Sequence, residues 1–134
     1  MLLTRWKETL ERSHDRPAIF DGDEVIRFRD LDEQLGKVPA ADGPVIACGS
    51  ARQLVLATLR GWRDQVPVLP VERAGTRLPA LTDIPPGVAH LKLTPGTDGM
   101  PRTVRFTASQ IAADADRIVL AMGLTPEIPN LATI

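Results

Sequence analysis

The segment with the most groups able to do chemistry is His90-Leu-Lys-Leu-Thr-Pro-Gly-Thr-Asp-Gly-Met-Pro-Arg-Thr-Val104. An apolar run ends at Thr94 and gives way to a loop that holds Gly96, Thr97 and Gly99, with Arg102 on its far side. Glycines let a backbone approach an anion closely, N–H groups and hydroxyls donate hydrogen bonds to it, and a guanidinium adds charge. Thr94, Gly96, Thr97, Gly99 and Arg102 are therefore candidate anion-contacting residues. On composition alone, the same residues also make an ordinary turn. The loop is not a Walker A loop, because Pro101 and Arg102 stand where that motif needs Gly and Lys.

The remaining reactive residue types point to structure. His14 and His90 are far apart in sequence and lack metal-ligand spacing. His14 closes a helix and reads as a surface residue, and His90 falls in a strand and reads as structural. Cys48 sits in an apolar strand, which predicts an inert core thiol. As the only cysteine it excludes an internal disulfide framework and a cysteine-rich zinc site. Gly49-Ser50 could seat an anion at a helix N-terminus, but helix capping accounts for Ser50. Asp114 and Asp116 read as a solvated helix face, and Trp6 and Trp62 as core or interface anchors. No residue is assigned a catalytic or metal-ligating role.

The elements that must position the loop follow from periodicity. Leu3, Trp6 and Leu10 recur at helical spacing over residues 3–13. Two short apolar runs, Ala18–Phe20 and Val25–Phe28, flank Asp21-Gly22, a hairpin signal. Leu31 and Leu35 mark a short helix over 29–36. Pro44–Cys48 reads as a strand buried on both faces. A helix follows to about Trp62, with Ser50 and Gln53 as a capping box and Leu54, Val55, Thr58, Leu59 and Trp62 on its inner face. Val66–Leu69 is a strand that Pro67 places near a sheet edge. Ala89–Leu93 and Thr103–Phe106 are extended runs on either side of the loop. Thr107 and Gln110 open a last helix with Ile111, Ala115, Ile118, Val119 and Met122 on one face, ending at Gly123. Seven of the 12 prolines fall between Pro67 and Pro101, so that stretch should be rich in bends and short strands. The predicted class is α/β: a mostly parallel sheet flanked by helices, with an N-terminal β-hairpin.

The chain has 134 residues, enough for one ordinary core without a staple. Sixteen basic residues stand against 17 acidic ones, for a net charge of -1, with no block of like charge. That excludes a duplex-DNA binder or a polybasic membrane anchor. The apolar runs are too short to span a bilayer, and no signal-peptide pattern follows Met1. A reducing cytoplasm is the default setting.

The loop resembles the phosphate-binding signature of the adenylate-forming enzymes: acyl-CoA synthetases, luciferases and peptide-synthetase adenylation domains. That signature reads roughly Thr-Ser-Gly-Ser/Thr-Thr-Gly-x-Pro-Lys-Gly-Val. Thr94, Gly96, Thr97, Gly99, Pro101 and Val104 match it in register. The opening hairpin with Phe28, Asp30 and Leu31, the segment Val66–Glu72, and Met122–Glu127 resemble further parts of the family's N-terminal region, in order. There are departures. Pro95 and Asp98 replace hydroxyl residues, Arg102 replaces Lys, and Thr103 replaces Gly. A carboxylate facing a triphosphate at about 4 Å costs on the order of 4 kcal/mol at an effective dielectric near 20, so Asp98 is the most damaging. Arg102 keeps the charge and suits bidentate phosphate contact. The stretch between hairpin and loop is also shorter than the family's.

The resemblance implies that residues 1–134 are a partial N-terminal subdomain of an AMP-binding (adenylation) domain. The parent would be an ATP- and Mg²⁺-dependent acid–thiol ligase. It would join a carboxylic acid to the ATP α-phosphate and pass the acyl group to coenzyme A or a carrier protein. The fragment alone would be inactive, since family enzymes run to roughly 500 residues. The sequence stops at Leu131–Ile134, inside an expected core strand. An unpaired edge there predicts self-association. Two other readings stay open: a degenerate, non-catalytic relative serving as a binding or assembly module, and an unrelated flavodoxin-like binding domain.

Overall fold

In the computed structural model, which describes residues 1–94, 99 and 101–128, the chain opens with helix α1 (Leu2–Ser13). Leu2 and Trp6 lie one turn apart and are its buried residues. Pro17 then starts β1 (Pro17–Asp21), which pairs antiparallel with β2 (Glu24–Arg27). The Asp21↔Glu24 pair closes the hairpin over Gly22-Asp23, and Gly22 takes the left-handed φ of +60° that such a turn assigns to glycine. Helix α2 (Phe28–Lys37) follows at once, its first turn tied back by the Arg27 N–H donating to Asp30 Oδ2 at 2.8 Å. Trp6, Ile26, Leu31 and Leu35 from these elements join Leu59 in one core cluster.

The second layer is a four-stranded sheet. Strand β3 (Val45–Ala47) leads through Gly49-Ser50 into helix α3 (Ala51–Asp64), and the chain returns as β4 (Val68–Pro70), parallel to β3. Strand β5 (Val88–Thr94) is parallel to β4, and β6 (Arg102–Thr107) is antiparallel to β5, giving the order β3-β4-β5-β6. The expected α/β architecture is present: a mixed, mostly parallel sheet with a separate N-terminal hairpin. Val45, Ala47 and Val68 pack with Leu54 and Ala57 of α3. Leu69, Val88 and Leu91 form a third cluster with Leu78, Leu81 and Ile84. The proline-rich stretch 71–87 thus contributes apolar side chains without regular structure.

Four expectations need correction. Strand β3 is covered on one face only: Val45 and Ala47 are buried, whereas Ile46 between them is 43% exposed. Strand β4 is internal, not at an edge. Pro67 precedes it, and its carbonyl accepts from the Val45 N–H at 2.9 Å, so the missing proline N–H costs the ladder nothing. Cys48 lies just beyond β3 and is half-buried, short of a core position. Helix α4 (Ala108–Met122) buries only Ala112, while Ile118, Val119 and Met122 of its expected inner face are exposed. It packs mainly on β5 and β6, and Ile111 and Ala112 lie in its first two turns. The strand expected at Leu131–Ile134 lies outside the described residues.

Both capping boxes are present. Gln53 N–H donates to Ser50 Oγ while Ser50 N–H donates to Gln53 Oε1, and Thr107 and Gln110 repeat the exchange. Thr107→Ala should therefore lower stability by about 1 kcal/mol through loss of a cap. Chemical denaturation checks this, and an unchanged midpoint would mean that Thr107 does not hold the helix.

Candidate functional site

The candidate loop joins β5 to β6, so the two strands fix its ends. Their antiparallel register runs from His90↔Phe106 through Lys92↔Val104 to Thr94↔Arg102. Thr94 and Arg102, eight residues apart in sequence, are thereby direct cross-strand partners at the mouth of the loop. Thr94 Oγ1 donates to the Arg102 carbonyl oxygen at 3.4 Å. Gly99 has a φ of +75° and open space where a Cβ would stand. A side chain would be strained there by backbone conformation, not by crowding. Of the five candidate residues, Thr94, Gly99 and Arg102 are thus placed in one hairpin, and Gly96 and Thr97 lie outside the described residues, as does Asp98.

The same face of the hairpin carries more. Side chains two apart on a strand share a face, so His90, Lys92 and Thr94 stand in a row. The His90 ring is half-buried, 6.1 Å from that of Phe106. Burial, and after it the charge of Lys92, hold the imidazole below its ordinary pKa. His90 is therefore neutral near pH 7 and packs as a structural residue. Lys92 is exposed. The motif alone passes over it; the signal that could find it is a cation alternating with Leu91 and Leu93 in the strand run Ala89–Leu93.

The other candidates are structural in place. His14 is exposed, with Asp15 3.4 Å away. Ser50 is occupied by its capping box. Asp116 takes a two-point contact from Arg5 at 2.6 and 2.8 Å, an exposed pair between α4 and α1. Trp6 stacks near Phe28 and donates from its indole to Asp32 Oδ1 at 3.3 Å, and Trp62 packs against the same core. Among the described residues, no three His, Cys, Asp or Glu side chains converge as a metal site, and no helix is long and apolar enough to cross a membrane.

The sequence matches no protein-family model and no curated protein. Solved structures do match. VinN, in complex with 3-methylaspartate, superposes with a TM-score of 0.72 over 95% of this chain and 53% of its own, at 14% identity. The o-succinylbenzoate CoA synthetase MenE of Bacillus subtilis, in complex with the acyl-adenylate intermediate OSB-AMP, gives a TM-score of 0.67 over 90% of this chain and 46% of its own, at 14% identity. The N-terminal subdomain of NpsA from Klebsiella oxytoca gives 0.58 over 79% and 41%, again at 14% identity. The chain spans about half the length of these structures. With its hairpin, its mostly parallel sheet and its β5–loop–β6 unit in one order, the chain has the fold of the N-terminal part of an adenylate-forming enzyme.

Proposed function

We propose that residues 1–134 are the N-terminal part of an adenylation domain in an ATP-dependent acid–thiol ligase, with the β5–β6 loop as its phosphate-binding element. The observation that supports this best is the Thr94↔Arg102 pair. It sets a hydroxyl and a guanidinium at the mouth of a loop rich in Gly and Thr, in a fold shared with a CoA synthetase solved with its acyl-adenylate. Thr94, Gly96, Thr97, Gly99 and Arg102 would hold the β- and γ-phosphates of ATP. Their work is electrostatic positioning of the leaving pyrophosphate, with no covalent step of their own. The other substrates would be a carboxylic acid and a thiol, coenzyme A or a carrier protein, in a cytoplasmic setting. Mg²⁺ would arrive with the nucleotide phosphates, and no described residue is assigned to it.

The 134 residues alone should not adenylate. Carboxylate-dependent ATP–pyrophosphate exchange by the purified chain, above a no-protein control, would overturn that. In the full-length parent, Arg102→Ala should weaken Mg-ATP binding by about 1.5–3 kcal/mol, because a charged donor to phosphate is lost. Calorimetric titration measures it, and unchanged affinity would remove the loop from the phosphate-binding role. One feature favours a second reading, a degenerate relative kept as a binding or assembly module: Asp98 puts a carboxylate in the loop's sequence. We also propose that the chain self-associates. Ile118, Val119 and Met122 on α4 and Ile46 on the edge strand β3 are exposed apolar groups of the kind that recruit another chain. A strictly monomeric mass by light scattering at high concentration would count against it.

A further inference from the structure

A second cation stands beside the candidate loop, outside the motif. Lys92 precedes Thr94 by two residues on β5 and shares its face. Because Lys92 pairs with Val104 and Thr94 with Arg102, Lys92 and Arg102 are diagonal neighbours across the two strands. Such neighbours lie roughly 7–8 Å apart, within reach of long side chains. Lys92 is exposed, and neither it nor Arg102 forms an ion pair with a carboxylate among the described residues. Other cations are used to hold the fold: Arg63 on Asp64, Arg52 on Glu24 and Gln34, Arg5 on Asp116. Lys92 has no such task in the described structure.

We infer that Lys92 is a further phosphate-positioning residue, which together with Arg102 forms a two-cation face that takes the polyphosphate chain of a nucleotide at two points. The inference rests on the reading of the β5–β6 loop as a phosphate site. Two cations set apart along a hairpin suit an elongated polyanion, which touches both at once, whereas a single phosphate group engages one. The chemistries are complementary: a guanidinium presents a planar fork to two oxygens, and an ammonium a compact charge with three donors. Lys92 also addresses the loop's unfavourable charge. With Asp98 as the loop's one acidic residue, Arg102 alone leaves no net positive charge, and Lys92 restores it.

The test titrates the full-length parent with Mg-ATP and, separately, with inorganic triphosphate. Lys92→Met should weaken both by on the order of tenfold at low salt, as expected for loss of a charged donor, and by less at high salt. Lys92→Arg, which keeps the charge, should stay within about twofold of the native parent. Lys92 is exposed, so its variants should keep the native denaturation midpoint and report binding alone. If Arg102→Ala weakens binding and Lys92→Met does not, the inference fails and the loop reading stands. Equal losses for Lys92→Met and Lys92→Arg, or a loss with Mg-ATP but not with triphosphate, also overturn it. If the native parent binds neither probe, or neither Arg102→Ala nor Lys92→Met changes affinity, the inference and the reading beneath it fall together.

Discussion

Gly61→Ala should destabilise the protein by about 2 kcal/mol, although alanine is the better helix former by about 1 kcal/mol. Gly61 is buried in α3 where that helix crosses β4. A Cβ there would stand 2.2 Å from Val68 Cγ2 and 3.0 Å from the Val66 carbonyl oxygen. Neither neighbour yields easily. Val68 is fully buried in an internal strand, and its branched side chain is stiff at χ1. The Val66 oxygen belongs to the backbone, whose own N–H donates to the Gly61 carbonyl at 3.0 Å. The missing side chain is thus what lets α3 settle onto the β3–β4 pair. A double-mutant cycle isolates the contact. Val68→Ala alone should cost about 2 kcal/mol as a core truncation. With Gly61→Ala added, the loss should fall short of the sum by about 1 kcal/mol or more, since the new methyl occupies the space vacated. Denaturation midpoints of the four proteins give the answer, and strict additivity would show that the clash is not the cause.

Gly61 illustrates what the sequence carries and what it withholds. Where a signal is local, it is readable: Asp21-Gly22 sets the hairpin, and Ser50 with Gln53 and Thr107 with Gln110 set two helix starts. These depend on chemistry within four residues. The errors arise where the answer depends on what lies across the sheet. Pro67 suggests an edge because proline lacks a donor, but in place it sits one residue ahead of β4, and only its carbonyl is asked for. The periodic face of α4 is real as a pattern, yet Ala112 is the one residue of that helix that is buried. The loop behaves the same way. Its residue types suggest a candidate anion contact, whereas the pairing of Thr94 with Arg102, and the place of Lys92 beside them, follow from an antiparallel register that no motif encodes.

Asp64→Asn should cost about 2 kcal/mol at pH 7, and the cost should vanish in acid. Asp64 ends α3, and its side chain is only 8% exposed. It accepts from Arg63 at 2.7 and 2.9 Å and from the Ala41 N–H at 2.8 Å. Arg63 in turn donates to the carbonyls of Leu35, Val38 and Pro39 at 2.6, 2.9 and 3.1 Å. The two residues clamp the segment from the end of α2 to the approach of β3, and so tie the helical core to the sheet. The Arg63 hydrogen bond first, with the Ala41 N–H and the nearby positive charges of Arg63 and Arg60, lowers the Asp64 carboxyl to about 2 against the opposing effect of burial. The unfolded chain binds that proton near pH 3.9. A carboxyl depressed in the fold contributes stability that is fully present above the unfolded value and lost as pH falls through the folded one. The window is therefore from about pH 4 down to about 2. Asparagine keeps the shape and an acceptor for Ala41 but not the charge, so the gap between native and variant should be constant above pH 5 and close steadily through that window. Urea unfolding at pH 7, 4, 3 and 2.5 reads it out. A gap that stays constant down to pH 2.5 would mean that the clamp works through shape and neutral hydrogen bonds, with no contribution from an ionised Asp64.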